Sequence, residues 1–243
     1  MIFNLFCDAS IDTDKKIACG GCYVVAQFPG GGTELTNHKL IIQNNATNNS
    51  SEIMAIFAGV CEALEIRKQY PGAVFRLFSD SKISLYGLRD WMKNWINNMR
   101  PDGTLISSSG KPVMNQQRFI EIYNLITRFD LHIELYHQRG HVLDGKVSEE
   151  RARIQFIRAN KASPEMLGLT TRFICECNDA IDNLTRTALM TYINTGTLMP
   201  NTSVEGVNPM IYYVDPSQLH KYITCINKTS INSRHDFKGG YNQ

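Results

Sequence analysis

The sequence contains no long hydrophobic stretch. No apolar run among its 243 residues approaches the length of a membrane span. No N-terminal stretch combines basic residues, an apolar run and a small-residue cleavage site. We therefore expect neither a signal peptide nor a membrane segment, and we expect a cytoplasmic protein. The net charge is only +2, so any basic surface must be local.

A regular cysteine framework is also missing. The seven cysteines are odd in number and scattered, which predicts reduced thiols. Cys19-Gly20-Gly21-Cys22 has the spacing of a zinc knuckle, and Cys175 and Cys177 could supply two more ligands. However, the first pair begins a β-like run and the second pair has one intervening residue, so zinc is only weakly indicated. Gly30-Gly31-Gly32 lacks the Gly-Lys-Ser/Thr of a phosphate-binding loop, and we interpret it as a hairpin turn.

The first strand is the element around which the chain is organised. Ile2 to Ser10 starts as a nearly continuous apolar, β-favouring run, which predicts a strand buried on both faces near the middle of a sheet. Asp8 places a charge at the rim of this core. A bound cation would offset its cost, and a turn-opening Asx cap is the simpler alternative.

Alternating strand and helix patterns predict an α/β fold with a mixed five-stranded sheet flanked by helices. The predicted strands are Ile2–Ser10, Gly21–Ala26, Glu34–Ile42, Val74–Phe78 and Leu131–Tyr136, of which the first three form an antiparallel meander. The predicted helices run from Asn48 to Pro71 and over Ile83–Trp95, Gln117–Phe129 and Asn178–Asn194. Met99–Lys111 is loop-like, residues 142–176 show no strong period, and the C-terminal part holds one strand-like run, Met210–Val214.

Four acids occupy similar settings in this pattern. Asp8 and Asp80 follow apolar strands, Glu52 lies near the start of the first helix, and Asp182 lies in the last predicted helix. In α/β sheets, sites form at strand ends and adjacent helix starts. Clustered carboxylates repel one another unless a cation neutralises them, and oxygen ligands suit Mg²⁺ or Mn²⁺. Two such ions can clamp the attacking and leaving oxygens of an in-line phosphoryl displacement.

Seven motifs, in one order, resemble those of the bacterial type 1 ribonuclease H family. They are Asp8-Ala9-Ser10, Thr47 to Ala55 (Thr-Asn-Asn-Ser-Ser-Glu-Ile-Met-Ala), Ser79-Asp80-Ser81, Trp91-Met92-Lys93-Asn94-Trp95, Lys111-Pro112-Val113, Gly140-His141 and Asn178 to Leu184. The resemblance covers residues 1–141 and 178–195. It implies a ribonuclease H-like catalytic domain over residues 1–195 with an insertion at about 142–177, and a partly disordered C-terminal extension over residues 196–243.

The resemblance implies an endonuclease that hydrolyses the RNA strand of RNA–DNA hybrids with two Mg²⁺ ions, or Mn²⁺ in their place, leaving 3′-hydroxyl and 5′-phosphate ends. Asp8 would bridge both metals, Glu52 and Asp80 would complete the shell of one, and Asp182 that of the other. His141 would shuttle a proton or help to release product. The implied substrate contacts are Ser10, Asn48, Asn49, Ser81, Lys93 and Lys111.

Several alternatives remain open at this stage. Asn48 and Asn49 resemble asparagines that read 2′-hydroxyls, because an amide both donates and accepts, but they also suit a helix cap. The resemblance also implies a substrate-binding handle between Trp95 and Lys111, with Lys93, Arg100 and Lys111 as its basic residues. Trp91 and Trp95 are predicted to pack in the core or against this handle rather than to stack on bases. Five basic residues of the insertion are expected either to contact phosphates or to be merely solvated: Arg151, Arg153, Arg158, Lys161 and Arg172. The whole chain, expected to be a monomer, could instead be a nuclease for DNA or structured RNA, or a non-catalytic nucleic-acid-binding module.

Overall fold

A six-stranded mixed sheet forms the centre of the protein. The computed structural model describes residues 1–140, 142–206 and 213–226. The strands are β1 (Ile2–Asp12), β2 (Ile17–Gln27), β3 (Thr33–Asn44), β4 (Val74–Ser79), β5 (Ile133–His137) and β6 (Thr202–Val204), in the order β5-β4-β1-β2-β3-β6. β1, β2 and β3 pair antiparallel, and β4, β5 and β6 are added in parallel. The predicted antiparallel meander and mixed sheet are therefore confirmed.

Seven α-helices are present in the described part of the chain. They are α1 (Asn48–Gln69), α2 (Lys82–Tyr86), α3 (Met92–Asn97), α4 (Gln116–Phe129), α5 (Glu149–Asn160), α6 (Thr171–Thr195) and α7 (Leu219–Ile226). A π-turn over Gly87–Trp91 joins α2 to α3, and a second covers Val142–Lys146. Short 3₁₀ turns lie at Pro164–Leu167 and Pro216–Gln218. None of the described helices is long and apolar enough to span a membrane.

β1 is buried on both faces, as its apolar run predicts. Phe3, Leu5 and Cys7 face one hydrophobic cluster, which α1, α4 and α7 cover. Phe6 faces the other cluster, which α5 and α6 cover. β1 pairs with β2 along its whole length, whereas its pairing with β4 stops at Cys7 and Ser79. The sheet therefore opens beside Asp8, which is the residue that follows Cys7.

A glycine allows α1 to lie close to the sheet near this opening. Gly20 of β2 pairs with Ala9 of β1, and a Cβ at position 20 would lie only 2.8 Å from the backbone nitrogen of Ala55 in α1. A larger residue at position 20 would push the helix away from the sheet. Glu52, which precedes Ala55 by one turn, is thereby held near the end of the β1–β4 pairing.

Several elements differ from the sequence prediction. α5 and α7 lie in segments where no helix is predicted, and the predicted helix Ile83–Trp95 is divided by the π-turn. The sheet has a sixth strand, β6, whose Thr202–Val204 pairs in parallel with the edge of β3. α6 starts at Thr171 rather than Asn178, because Thr170 caps it by accepting a hydrogen bond from the Phe173 amide (3.0 Å). The strand-like run Met210–Val214 falls largely outside the described residues, and its described part, Tyr213 and Val214, lies in no strand.

The segment between β5 and α6 packs against the sheet rather than projecting from it. Phe156 of α5 and Leu167 join the cluster beneath α6. The amide of Asn160 accepts a hydrogen bond from the His137 backbone N–H (2.8 Å) and donates one to the His137 carbonyl (2.7 Å). This side chain therefore satisfies the outer backbone groups at the end of the edge strand β5.

Candidate active site

Three carboxylates converge where the pairing of β1 and β4 ends. Asp8 lies in β1, Asp80 follows β4, and Glu52 is the fifth residue of α1. One oxygen from each of the three carboxylates lies within 4.8 Å of the others. The parallel register explains the first pair, because Cys7 pairs with Ser79 and the next residue of each strand is an aspartate.

The environment of Asp8 and Glu52 opposes the ionisation of their carboxyl groups. Burial, followed by the neighbouring Asp80 and Glu52, raises the pKa of Asp8 to about 9, although the Ala9 amide donates to its carboxylate (2.7 Å). Burial and Asp80 raise the pKa of Glu52 to about 8. Among the described residues, neither Asp8 nor Glu52 forms an ion pair. The described residues therefore supply no ion-pair partner for the carboxylates of Asp8 and Glu52.

The cluster fits a divalent cation. The Oε2 atom of Glu52 is buried and has no hydrogen-bond partner among the described residues. A buried carboxylate oxygen without a partner is costly, and a cation would satisfy it. The donors are all carboxylate oxygens, the ligand type that Mg²⁺ and Mn²⁺ prefer. Asp8, Glu52 and Asp80 are thus the residues that could hold such an ion.

Asp182 lies beside this group rather than within it. Its negative charge contributes to the raised pKa of Asp8, as the smallest of the causes. Its carboxylate accepts a hydrogen bond from Arg186 (2.5 Å), one turn further along α6. The helix itself is fastened to β1, where the Ser10 and Thr185 hydroxyls are 3.1 Å apart. The structure thus brings together three of the four predicted acids, and the fourth, Asp182, is paired with Arg186, which lies outside the sequence motifs.

Gly140 packs directly against the cluster. A Cβ at this position would lie 2.1 Å from Oδ2 of Asp80, so that only glycine fits without displacing the carboxylate. The next residue, His141, lies outside the described residues, and its predicted role stays a prediction. A different histidine, His137, ends β5 at the same end of the parallel strands, and no sequence motif marks it. Its Nε2 is 3.2 Å from the backbone oxygen of Asp80, and burial followed by Lys82 lowers its pKa to about 4.

The structure at the start of α1 distinguishes between the two roles, helix capping and substrate contact, that the sequence allows for Asn48 and Asn49. Thr47 is the N-cap, and Thr47 and Ser50 form a reciprocal capping box. Asn48 and Asn49 are exposed, and their side chains make no hydrogen bond with the described residues. Asn48 also lines a surface cleft of about 420 Å³ with residues of the β1–β2 turn. Capping is therefore performed by their neighbours, and both amides remain available to a ligand.

The other predicted substrate contacts occupy varied positions. Ser10 contacts α6, as described, and the Ser81 hydroxyl caps α2 by accepting from the Ser84 amide. Lys93 on α3 and Lys111 in the loop before α4 are exposed. Trp95 is buried against Phe119, as predicted for a packing residue, whereas 39% of Trp91 is exposed.

The weakly indicated zinc knuckle does not form. Cys19 and Cys22 are three residues apart in β2, so they face opposite clusters of the core. Neither they nor Cys175 and Cys177 belong to a metal-ligating group within the described residues. All seven cysteines are free thiols, as the sequence predicts.

Comparison with known proteins now decides the family. The family model described as RNase H matches residues 2–153, well over half of the chain. The chain belongs to the RNase H family. The matched range of this RNase H includes Asp8, Glu52, Asp80 and Gly140, whereas Asp182 lies beyond it.

Two sequence relatives support this assignment, and one solved structure shares the fold. A ribonuclease H of Thermosynechococcus vestitus is 31% identical over 147 residues, which cover 60% of this chain and 81% of that protein. A ribonuclease H of Rickettsia akari is 30% identical over 104 residues, 43% of this chain, which spans only 59% of that relative. The crystal structure of LC9-RNase H1, described as a type 1 RNase H with the type 2 active-site motif, aligns with a TM-score of 0.52 over 88% of this chain and 90% of that one. At 13% identity this last likeness establishes the fold alone.

Proposed function

We propose that this RNase H family member is a metal-dependent endonuclease that hydrolyses the RNA strand of RNA–DNA hybrids and leaves 3′-hydroxyl and 5′-phosphate ends. The observation that carries the proposal is the convergence of Asp8, Glu52 and Asp80, a group in which neither Asp8 nor Glu52 forms an ion pair with any described residue. A binding module gains nothing from three clustered carboxylates that repel one another. A hydrolase that operates with bound cations requires them.

The proposed site holds two Mg²⁺ ions, or Mn²⁺ in their place. Asp8, Glu52 and Asp80 would hold one ion, and Asp8 with Asp182 the other. When bound, the ions supply an activated water and a counter-charge for the leaving oxygen. Arg186 would have to release Asp182 for this purpose. It is well placed to do so, because 58% of its side chain is exposed and it can swing into solvent.

The chain's own residues would orient the substrate around these acids. Asn48 and Asn49 stand at the start of α1, close in sequence to Glu52, with amides that capping does not use. An amide can donate to and accept from a 2′-hydroxyl, the group by which a protein distinguishes RNA from DNA. Exposed Lys93 and Lys111 would contribute sequence-independent phosphate contacts.

Proton transfer is assigned to the loop that follows β5. His137 is unsuited to it, because burial keeps its ring neutral and its Nε2 faces a backbone oxygen of Asp80. The close contact of Gly140 with Asp80 brings the loop up to the carboxylates. We therefore assign proton transfer, or help with product release, to His141, which follows Gly140 directly.

A cleavage assay on matched substrates tests the proposal. One labelled RNA strand is presented as an RNA–DNA hybrid and as duplex RNA, beside duplex DNA of the same sequence, each with Mg²⁺ and with EDTA. We expect cleavage of the hybrid alone, only with Mg²⁺, and its loss in Asp8→Asn but not in Asp14→Asn, an exposed aspartate of the β1–β2 turn. Cleavage of duplex DNA or duplex RNA at a similar rate would indicate a different nuclease, and binding without cleavage would indicate a binding module.

A further inference from the structure

Three metal-ligating side chains of different kinds meet at the corner between α4, β5 and α7. Asp130 ends α4, His132 precedes β5, and Cys225 lies in the last turn of α7. The Cys225 thiol donates to Oδ1 of Asp130 (3.5 Å), and Nε2 of His132 lies 3.7 Å from the same oxygen. One ligand atom from each residue lies within 4.8 Å of the others. We propose that Asp130, His132 and Cys225 form a second cation site, which binds a divalent metal of the zinc class.

The separations suit a tetrahedral ion. With ordinary zinc bond lengths, a tetrahedral Zn²⁺ places a sulfur and an oxygen ligand about 3.5 Å apart, and a nitrogen and an oxygen about 3.3 Å apart. The observed separations are 3.5 Å between Cys225 Sγ and Asp130 Oδ1, and 3.7 Å between His132 Nε2 and the same oxygen. These two separations therefore lie within a few tenths of an ångström of the tetrahedral values, and the Cys225 and His132 ligand atoms lie within 4.8 Å of each other.

The donor types select the metal. A thiolate, an imidazole and a carboxylate together favour Zn²⁺ and related transition ions, whereas Mg²⁺ avoids sulfur. The imidazole is also uncommitted: neither ring nitrogen of His132 makes a hydrogen bond with the described residues, and Nδ1 is buried. Three protein ligands leave a fourth position for water, because no further Asp, Glu, His or Cys of the described residues joins the group.

Charge balance is compatible with a bound dication. Asp130 supplies a carboxylate directly beside the Cys225 thiol. When the ion binds, the Cys225 thiol loses its proton to solvent, and the thiolate and carboxylate together neutralise a charge of two. Arg67 is already occupied with backbone oxygens of Phe129 and Asp130, the latter at 2.6 Å.

The site would fasten the C-terminal part of the chain to the catalytic core. α7 already packs on α4 through Tyr222 and Tyr123, and the Tyr222 hydroxyl donates to the Leu88 carbonyl (2.7 Å). The site lies at the start of β5, whereas the carboxylate cluster lies at the opposite end of the parallel strands. At 3.3 Å per residue the two are about 20 Å apart, so they can be tested separately.

Cobalt reports thiolate ligation directly. The full chain is titrated with Co²⁺ in excess Mg²⁺, and the sulfur-to-cobalt absorption band in the near ultraviolet is followed. We expect one equivalent in wild type, in Asp8→Asn and in Cys61→Ser, a control cysteine in α1. The band should vanish in Cys225→Ser, and the Co²⁺ affinity should fall at least about tenfold in His132→Asn. Wild type without a band, or a band that survives Cys225→Ser, overturns the proposal.

A second measurement guards against misfolding of the Cys225 variant, whose thiol is buried. Thermal melts with and without Zn²⁺ are compared for wild type, Asp8→Asn and His132→Asn, whose side chain is 37% exposed in the wild type and so tolerates replacement. Zn²⁺ should raise the melting temperature of the first two by a few degrees and leave His132→Asn unchanged. An equal rise in all three contradicts the proposal.

Discussion

Asp8 and Asp130 lie at opposite ends of the parallel strands, and their pKa values are shifted in opposite directions. At the end where β1 and β4 part, burial and two further carboxylates raise the pKa of Asp8 to about 9. At the other end, a thiol, an imidazole and nearby cations outweigh burial and lower the pKa of Asp130. The same side chain is thus destabilising when ionised in one place and stabilising in the other. Among the described residues, the groups that act most strongly on Asp8 are other carboxylates, whereas those around Asp130 are a thiol, an imidazole and basic side chains.

The largest expected effect comes from removing the charge at each end in turn. Asp8→Asn should reduce Mg²⁺-dependent hybrid cleavage on the order of 10³-fold or more. In EDTA it should nevertheless raise the melting temperature, because it relieves repulsion in the cluster, and it should lose most of the stabilisation by Mg²⁺. Asp130→Asn should lower the melting temperature, since it removes a carboxylate that is already compensated. Asparagine tolerates the left-handed conformation of residue 130 (φ 49°), so the two variants are matched.

These melts compare wild type, Asp8→Asn and Asp130→Asn in EDTA and in Mg²⁺. If Asp8→Asn melts below wild type in EDTA, its carboxylate is already compensated within the protein, and the contrast between the two ends disappears. Cleavage that survives Asp8→Asn would remove the carboxylate cluster from the proposed mechanism.

A second prediction concerns the pH dependence of stability without metal. Because the folded-state pKa values of Asp8 and Glu52 are raised to about 9 and about 8, the folded protein retains protons that the unfolded chain has lost. Their stabilising contribution is fully present below about pH 4 and is lost as the pH rises through about 8 to 9. The contribution of Asp130, whose pKa is lowered, instead disappears as the pH falls through that lowered folded-state pKa.

Urea titrations in EDTA between pH 5 and pH 9 provide the measurement. The difference in unfolding free energy between Asp8→Asn and wild type should increase with pH, and that between Asp130→Asn and wild type should not. At pH 7, Mg²⁺ binding to wild type should release protons, which calorimetry in two buffers of different ionisation heat would detect. A pH-independent difference for Asp8→Asn would show that its pKa is unperturbed.

A smaller effect is expected at the start of α1. The double variant Asn48→Ala, Asn49→Ala should weaken hybrid binding by about 0.5–1.5 kcal/mol per lost hydrogen bond and leave duplex DNA binding nearly unchanged. Thr47→Ala is the control, because it removes the helix cap and should lower stability by about 1 kcal/mol without changing the preference between the two substrates. An equal loss on both substrates in the asparagine variant argues against 2′-hydroxyl recognition.

The smallest expected effect concerns the basic residues in and near α5, some of which form ion pairs while others do not. Arg153 and Arg172 are bound to Glu165 and Glu176 (3.0 and 2.6 Å), whereas Arg151, Arg158 and Lys161 are exposed and form no ion pair with the described residues. Replacing the three unpaired residues by glutamine should reduce the salt dependence of hybrid binding by up to about 0.9 per phosphate contact. Replacing Arg153 and Arg172 by glutamine should change the salt dependence of hybrid binding less. Identical slopes in both variants and wild type would leave this segment a solvated surface.

Much of this arrangement could be predicted from the sequence where the signal is local. The apolar run of β1, the alternation of strands and helices, and the acids after β1 and β4 were all readable, because periodicity and strand ends carry that information. β6 was not readable: Thr202–Val204 is too short to show a period, and it becomes a strand only because it pairs with β3. The spacing of Asp182 and Arg186 predicts an i, i+4 ion pair, but the motif from Asn178 to Leu184 contains only the acid.

The roles of individual polar residues depended on three-dimensional packing. Sequence spacing allowed Asn48, Asn49 or Ser50 to cap α1, and only the backbone geometry assigns the cap to Thr47. His137 was overlooked because a histidine in an apolar strand shows no distinguishing pattern, and its proximity to Asp80 arises from the register of β4 and β5. The Asp130, His132 and Cys225 group combines residues almost a hundred positions apart, which no local pattern could join.

The hydrogen bonds between the Asn160 side chain and the His137 backbone affect the tendency of this protein to self-associate through its sheet edges. The outer backbone groups of an edge strand are a template on which another chain can add a strand. At the end of β5 the Asn160 amide occupies those groups, and at the other edge of the sheet β6 occupies part of β3. Both protective contacts come from segments outside the sheet formed by β1–β5. Without these contacts, unpaired backbone groups would be exposed at both edges of the sheet. Substitutions there should therefore cause aggregation before they reduce cleavage.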